Sequence, residues 1–103
     1  MKYDIVLSLE AVDDLRNLSG YNRALVRNAM EQHLRHEPTK ISKSRIKRLR
    51  GLSRPQYRLR VDDVRVFYDV AGDVVEVLAI VPKAEAETWL AKAGEPYENS
   101  SPE

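Results

Sequence analysis

Hydrophobic positions divide the chain into an N-terminal part with helical spacing and a C-terminal part with alternation. Residues 2–8 gather Tyr3, Ile5, Val6 and Leu7 and predict a first strand. Ser8 follows as a helix cap, with Glu10, Asp13 and Asp14 in the helix's N-terminal half, where the helix dipole favours acids. Val12, Leu15 and Leu18 form one side of that helix, and Ser19-Gly20 ends it. Leu25, Val26, Ala29, Met30, His33 and Leu34 recur at helical spacing and predict a second helix from about Asn22 to Glu37, stopped by Pro38. The very short connection makes the two an antiparallel hairpin.

The second half reads differently. Thr39 to Pro55 has weak periodicity and reads as an ordered loop with a short extended piece at Ile46–Leu49. Tyr57, Leu59 and Val61 alternate with Arg58 and Arg60, Asp62-Asp63 serves as a two-residue turn, and Val64 to Val70 is the return strand. After the Ala71-Gly72-Asp73 turn, Val74 to Val81 is almost wholly apolar, as suits a central strand. Pro82 suits the first turn of a closing helix over Ala84 to Ala93, with Gly94 as its stop. The expectation is an α+β domain over residues 1–93: a strand, a helical hairpin, a three-stranded antiparallel meander completing a four-stranded sheet, and a C-terminal helix. Residues 94–103 read as a flexible polar tail.

At 103 residues the chain holds one domain. It has no cysteine and two histidines, so disulfides, thiolate metal sites and a cysteine nucleophile are excluded, and no metal site or cofactor is expected. No apolar run approaches a membrane span, and Asp4 stands where a signal peptide would be apolar, so the expected location is the cytoplasm.

Charge changes the picture most. The net charge is +1, yet the 21 residues from Lys40 to Arg60 hold nine basic side chains and no Asp or Glu. Ordinary soluble surfaces mix the two signs, so this run points to a polyanionic partner. The predicted hairpin sharpens the point. Pairing Val61 with Val64 sets Arg60 opposite Arg65 and Arg58 opposite Phe67, which puts Arg58, Arg60, Arg65 and Phe67 on one face. Leu59, Val61, Val64, Val66 and Tyr68 then take the core face. Opposed like charges are destabilising, and a bound phosphate, matched by arginine's planar fork, gives such a cluster a purpose. Lys83 follows the last strand and can approach the same surface. Trp89 reads as an anchor of the closing helix, Tyr57 and Tyr68 as core or core-edge residues, and His33 as a satisfied core histidine.

The stretches Ile46-Lys47-Arg48-Leu49-Arg50-Gly51, Tyr57-Arg58-Leu59-Arg60-Val61, Val64-Arg65-Val66-Phe67-Tyr68 and Val74 to Lys83 resemble the RelE/ParE family of toxins from type II toxin–antitoxin systems, and the RelE branch more than ParE. The resemblance spans roughly residues 2–92. It implies a ribosome-dependent messenger-RNA endonuclease that needs no metal and drives a ribose 2′-hydroxyl onto the adjacent phosphate, with a cognate antitoxin, the ribosome and mRNA as partners. Carried over, Arg58 and Arg60 stand at two family lysines and Arg65 at a strand arginine. Ala84 replaces a family arginine, and Trp89 or Leu90 falls where a tyrosine belongs. Arginine is a poor proton acceptor at neutral pH, which leaves Lys83 as the tunable group beside Arg58, Arg60 and Arg65. Lys43, Arg45, Lys47, Arg48 and Arg50 are expected to grip the RNA backbone. The alternatives are a ParE-like inhibitor of DNA gyrase and a non-catalytic binding module on the same fold.

Overall fold

The helical hairpin and the meander fold against each other across one sheet. The structure, a computed structural model, describes residues 1–97. Its elements run β1 (Asp4–Leu7), α1 (Leu9–Asn17), α2 (Gly20–Leu34), β2 (Ile46–Arg48), β3 (Leu52–Arg54), β4 (Tyr57–Val61), β5 (Val64–Ala71), β6 (Val74–Pro82), a 3₁₀ turn (Lys83–Glu85), α3 (Ala86–Ala93) and β7 (Glu95–Pro96). The main sheet has the order β1-β6-β5-β4-β2, and β3 pairs with β7 in a separate two-stranded ribbon. β1 runs parallel to β6, and the remaining neighbours in the main sheet are antiparallel. Among the described residues no helix is long and apolar enough to cross a membrane.

The α+β class and the meander match expectation, with five strands where four were expected. The added strand is β2, at the short extended piece expected over Ile46–Leu49, which joins the main sheet as its fifth strand. The Ser42 hydroxyl accepts the amides of Arg45 and Ile46 at 3.0 and 3.1 Å and turns the chain onto the edge of β4. Ile46 is then buried opposite Leu59. The C-terminal segment also differs from the expected tail. Glu95–Pro96 lies along β3, and the Ser53 hydroxyl donates to the Glu95 carbonyl at 3.1 Å. The tail beyond residue 97 lies outside the described residues.

Local chemistry accounts for the helix limits. The Ser8 hydroxyl accepts the Ala11 amide at 3.0 Å, as a helix cap should. Ser19 caps α2 through the Asn22 amide at 3.1 Å, so Ser19-Gly20 opens the second helix as well as closing the first. α2 stops at Leu34, short of Glu37, because Arg35 turns to the N-terminal segment. Its carbonyl accepts the Tyr3 amide at 2.8 Å and its guanidinium donates to the Tyr3 carbonyl at 2.9 Å. Pro82 ends β6 and caps the 3₁₀ turn that leads into α3. Gly94 follows α3 with extended backbone (φ −67°). A Cβ there would stand 2.6 Å from the Leu90 carbonyl and 3.3 Å from Leu52, so close approach is what requires glycine.

Both sheet faces are covered, unequally. Ala11, Leu15, Val26, Ala29, Met30 and Leu34 of the helical hairpin bury one face together with Leu59, Val61, Val64, Val66 and Tyr68. On the other face Phe67, Ala79 and Val81 lie under Ala86, Trp89 and Leu90 of α3. A helix this short covers only part of that face, and the β4–β2 side is left to charged residues.

Candidate nucleic-acid interface

The β4–β5 register is the expected one: Val61 faces Val64, Arg60 faces Arg65 and Arg58 faces Phe67. Asp62 takes the left-handed conformation (φ 50°) that the tight turn demands. Arg58, Arg60 and Arg65 therefore share the α3 side of the sheet, as predicted.

β2 extends this face beyond what the hairpin alone could supply. Lys47 is the register partner of Arg58. The Arg60 amide donates to the Arg45 carbonyl at 2.9 Å, which places Arg45 across from Arg60. Two cationic rows result, Lys47–Arg58 and Arg45–Arg60–Arg65, spread over β5, β4, β2 and the residue that enters β2. Arg45 and Arg60 also line a common cleft of about 250 Å³ with Ser44 and Asp62.

The members differ in environment. Arg45, Lys47 and Arg60 are exposed, Arg58 is half-buried and Arg65 is buried, with 7% of its surface accessible. The Arg65 guanidinium donates to the Asp62 and Val64 carbonyls at 2.7 and 3.0 Å, so one of its nitrogens is spent on the turn. Arg58 Nε is buried with no hydrogen-bond partner among the described residues. Burial lowers the pKa of both guanidiniums. Arg65 and Arg60 press further on Arg58, and Arg60 on Arg65, while Asp63 partly offsets the effect at Arg65. Cations pressed together in this way form a site that donates to phosphate oxygens.

The other expected residues divide. Lys83 is exposed at the end of the β5–β6 ladder, its amide donating to the Asp63 carbonyl at 2.6 Å beside the turn. Lys43 and Arg50 are exposed in the loops flanking β2. Arg48 lies on the opposite face. It sits over the Tyr57 ring at 5.3 Å and donates to the Leu49 and Gln56 carbonyls and to the Tyr97 hydroxyl. Arg54, counted in the basic run, is paired with Asp69 and Glu76 at 3.5 and 3.6 Å. The uniform basic run thus separates into a free face and internal ties.

Aromatic residues frame the site. Trp89 stacks on Phe67 with centroids 5.0 Å apart and donates its indole N–H to Glu10 at 2.8 Å, anchoring α3 beside the arginines. Tyr57 and Tyr68 stack at 5.4 Å in the core, and the Tyr68 hydroxyl donates to the Pro38 carbonyl at 2.7 Å. His33 is half-buried in the wall of a cavity.

Residues 5–87 match the family described as ParE toxin of type II toxin–antitoxin system, parDE. Among solved structures, the archaeal RelE–RelB complex from Pyrococcus horikoshii OT3 is similar, with 26% identity and a TM-score of 0.66 over 81% of this chain and 97% of that one. A doubly arginine-to-alanine-substituted E. coli toxin RelE in the free state gives 25% identity and a TM-score of 0.67 over 90% and 95%. The RelBE2 toxin–antitoxin complex of Mycobacterium tuberculosis shares the fold, with 21% identity and a TM-score of 0.63 over 80% and 99%. No curated protein matches the sequence. With its sheet order, its covering helices and most of its length accounted for by these matches, the chain belongs to the RelE/ParE family of type II toxin–antitoxin toxins.

Proposed function

We propose that this toxin cleaves messenger RNA on the ribosome, in the cytoplasm, and is held inactive by a cognate antitoxin. The observation that carries the reading is the cationic face itself: Lys47, Arg58, Arg60 and Arg65 from three strands with Arg45 at the entry to β2, and with Arg58 and Arg65 desolvated. Similarity to a RelE solved in complex with RelB supports the antitoxin partner.

In the proposed reaction the ribose O2′ forms a bond to phosphorus and the P–O5′ bond breaks, leaving a cyclic phosphate and a 5′-hydroxyl. Arg58, Arg60 and Arg65 stabilise the charge that builds on the non-bridging oxygens. The 2′-proton passes to water. The departing O5′ takes a proton from an ammonium group, because a guanidinium holds its proton too tightly. Lys47, opposite Arg58, and Lys83, beyond the turn, are the two lysines that border the arginines.

A second reading is inhibition of DNA gyrase. It is favoured by the ParE description of the matching family and by Ala84 and Trp89 or Leu90, where the resemblance calls for arginine and tyrosine. Primer extension on programmed ribosomes separates the two. Purified toxin should produce discrete cuts in the bound message, and Arg58→Ala should abolish them. Uncut message together with accumulating DNA breaks in expressing cells would select the gyrase reading. Loss of neither would leave a non-catalytic module.

A further inference from the structure

The cationic face continues around the β2 edge into a second, open site. A cavity of about 330 Å³ lies between the end of α2 and the chain entering β2, lined by Gln32, His33, Glu37, Lys40, Ser44 and Arg45. That size suits a nucleotide-sized ligand. Arg45 and Ser44 line both this cavity and the cleft beside Arg60, so the two spaces meet at shared walls.

We infer that this cavity is a subsite for one unstacked nucleotide of a single-stranded RNA, its phosphate held at Arg45 and its base received among Gln32, His33 and Glu37. The inference rests on the RNA-directed reading and extends it to residues that the resemblance does not point to.

The chemistry of the lining supports a base more than a second phosphate. Glu37, exposed on the wall, would repel a phosphate placed beside it, and Lys40 at 3.8 Å offsets that repulsion only in part. A carboxylate, an amide and an imidazole together offer donors and acceptors suited to the edge of a base, and an imidazole ring offers a stacking plane. Burial, and then the nearby Arg45, lower the pKa of His33 and so favour the neutral ring. The wall is ordered in advance, since the Ser42 hydroxyl already holds the Arg45 and Ile46 amides. An RNA strand lying along Arg65, Arg60 and Arg45 would have its next nucleotide at the cavity mouth.

The test uses the purified full-length chain and a short single-stranded oligoribonucleotide carrying 4-thiouridine. Photocrosslinks should map to the peptide containing Gln32 to Arg45. Gln32→Ala and His33→Ala should each weaken binding about tenfold, the scale of losing one base contact. Ser44→Asp, at an exposed position, should do the same by placing a negative charge at the mouth, with thermal melting unchanged. If these variants bind like the wild type while Arg58→Ala loses binding, the subsite is wrong and the cationic face stands. If an Arg58→Ala/Arg60→Ala double variant also binds like the wild type, the RNA-directed reading fails, and the subsite with it. Crosslinks confined to other peptides would equally overturn the subsite.

Discussion

Lys47 stands directly across the β2–β4 ladder from Arg58, on the same face as Arg60 and Arg65. A lysine among arginines differs in one respect that matters for bond cleavage: an ammonium can release its proton to an alkoxide leaving group far more readily than a guanidinium. Lys47→Arg should therefore keep RNA affinity near that of the wild type and lower single-turnover cleavage about 100-fold. Binding and cleavage measured on the same programmed ribosomes separate the two effects. Full cleavage by Lys47→Arg and none by Lys83→Arg would move the proton donor to Lys83.

Arg65 serves the fold as well as the site. Its guanidinium holds the Asp62 and Val64 carbonyls while its side chain is buried. Arg65→Ala should cost about 1–3 kcal/mol of stability, because it leaves the turn's carbonyls without their donor. Toxicity should be lost as well. Arg60→Ala, at an exposed position, should lower activity with melting unchanged. Urea melts of the two variants beside growth assays make the comparison. Identical midpoints would show that the carbonyl bonds of Arg65 contribute nothing to the fold.

The β4–β5 hairpin and its charged face are legible in the sequence because alternation fixes both register and side. Tyr57-Arg58-Leu59-Arg60-Val61 allows a single apolar face, and the two aspartates set the turn. β2 is not legible in the same way. Ile46-Lys47-Arg48 carries one apolar side chain, too few to show a period, and it becomes a strand only because the outer edge of β4 needs a partner. Lys47 and Arg48, adjacent and both basic, end on opposite faces for that reason, one beside Arg58 and the other over Tyr57. The β3–β7 ribbon depends on chain segments some forty residues apart and leaves no local trace. The His33 cavity arises where α2 meets β2, so neither segment alone reveals it.

α3 is held by few contacts. None of its residues is buried, and Trp89, the only tryptophan, supplies both the stack on Phe67 and the bond to Glu10. Trp89→Ala should cost about 3 kcal/mol and raise hydrogen exchange at the amides of α3 while β5 and β6 stay protected. Trp89→Phe keeps a ring on Phe67 and gives up the hydrogen bond, so it should cost about 1 kcal/mol. Equal exchange in all three proteins would mean that other contacts hold the helix.

The free edge of β6 beyond β1 is closed by side chains of the helical hairpin. Ser8 donates to the Leu78 carbonyl at 2.9 Å, and Asp14 accepts the Ile80 amide at 2.9 Å. Burial raises the pKa of the Asp14 carboxyl above its ordinary 3.8, against the lowering effect of that amide. The folded state thus keeps the proton longer than the unfolded chain. The contribution of Asp14 to stability is full below 3.8 and declines as pH rises through the folded pKa. Asp14→Asn retains an acceptor and has no titration, so its stability relative to the wild type should increase between about pH 3 and pH 7. Parallel urea melts over that range would contradict the assignment if the difference stayed constant. Asp14→Ala, which orphans the Ile80 amide, should be less stable than Asp14→Asn throughout.

Cations that meet phosphates and cations tied up inside the fold should differ in their response to salt. Each phosphate contact on single-stranded RNA adds about 0.7 to the slope of log affinity against log salt concentration. Arg45 and Arg60 are exposed on the shared face, so Arg45→Ala and Arg60→Ala should each flatten the slope by about that amount. Arg54 is paired with Asp69 and Glu76, and Arg48 is spent on carbonyls, the Tyr57 ring and Tyr97. Their alanine variants should leave the slope near that of the wild type and show their cost in thermal melts instead. Fluorescence anisotropy with a single-stranded oligoribonucleotide over a salt series gives all four slopes. If Arg48 and Arg54 flatten the slope as strongly as Arg45 and Arg60, RNA binds the basic run as a whole and the face separated by β2 has no special part in it.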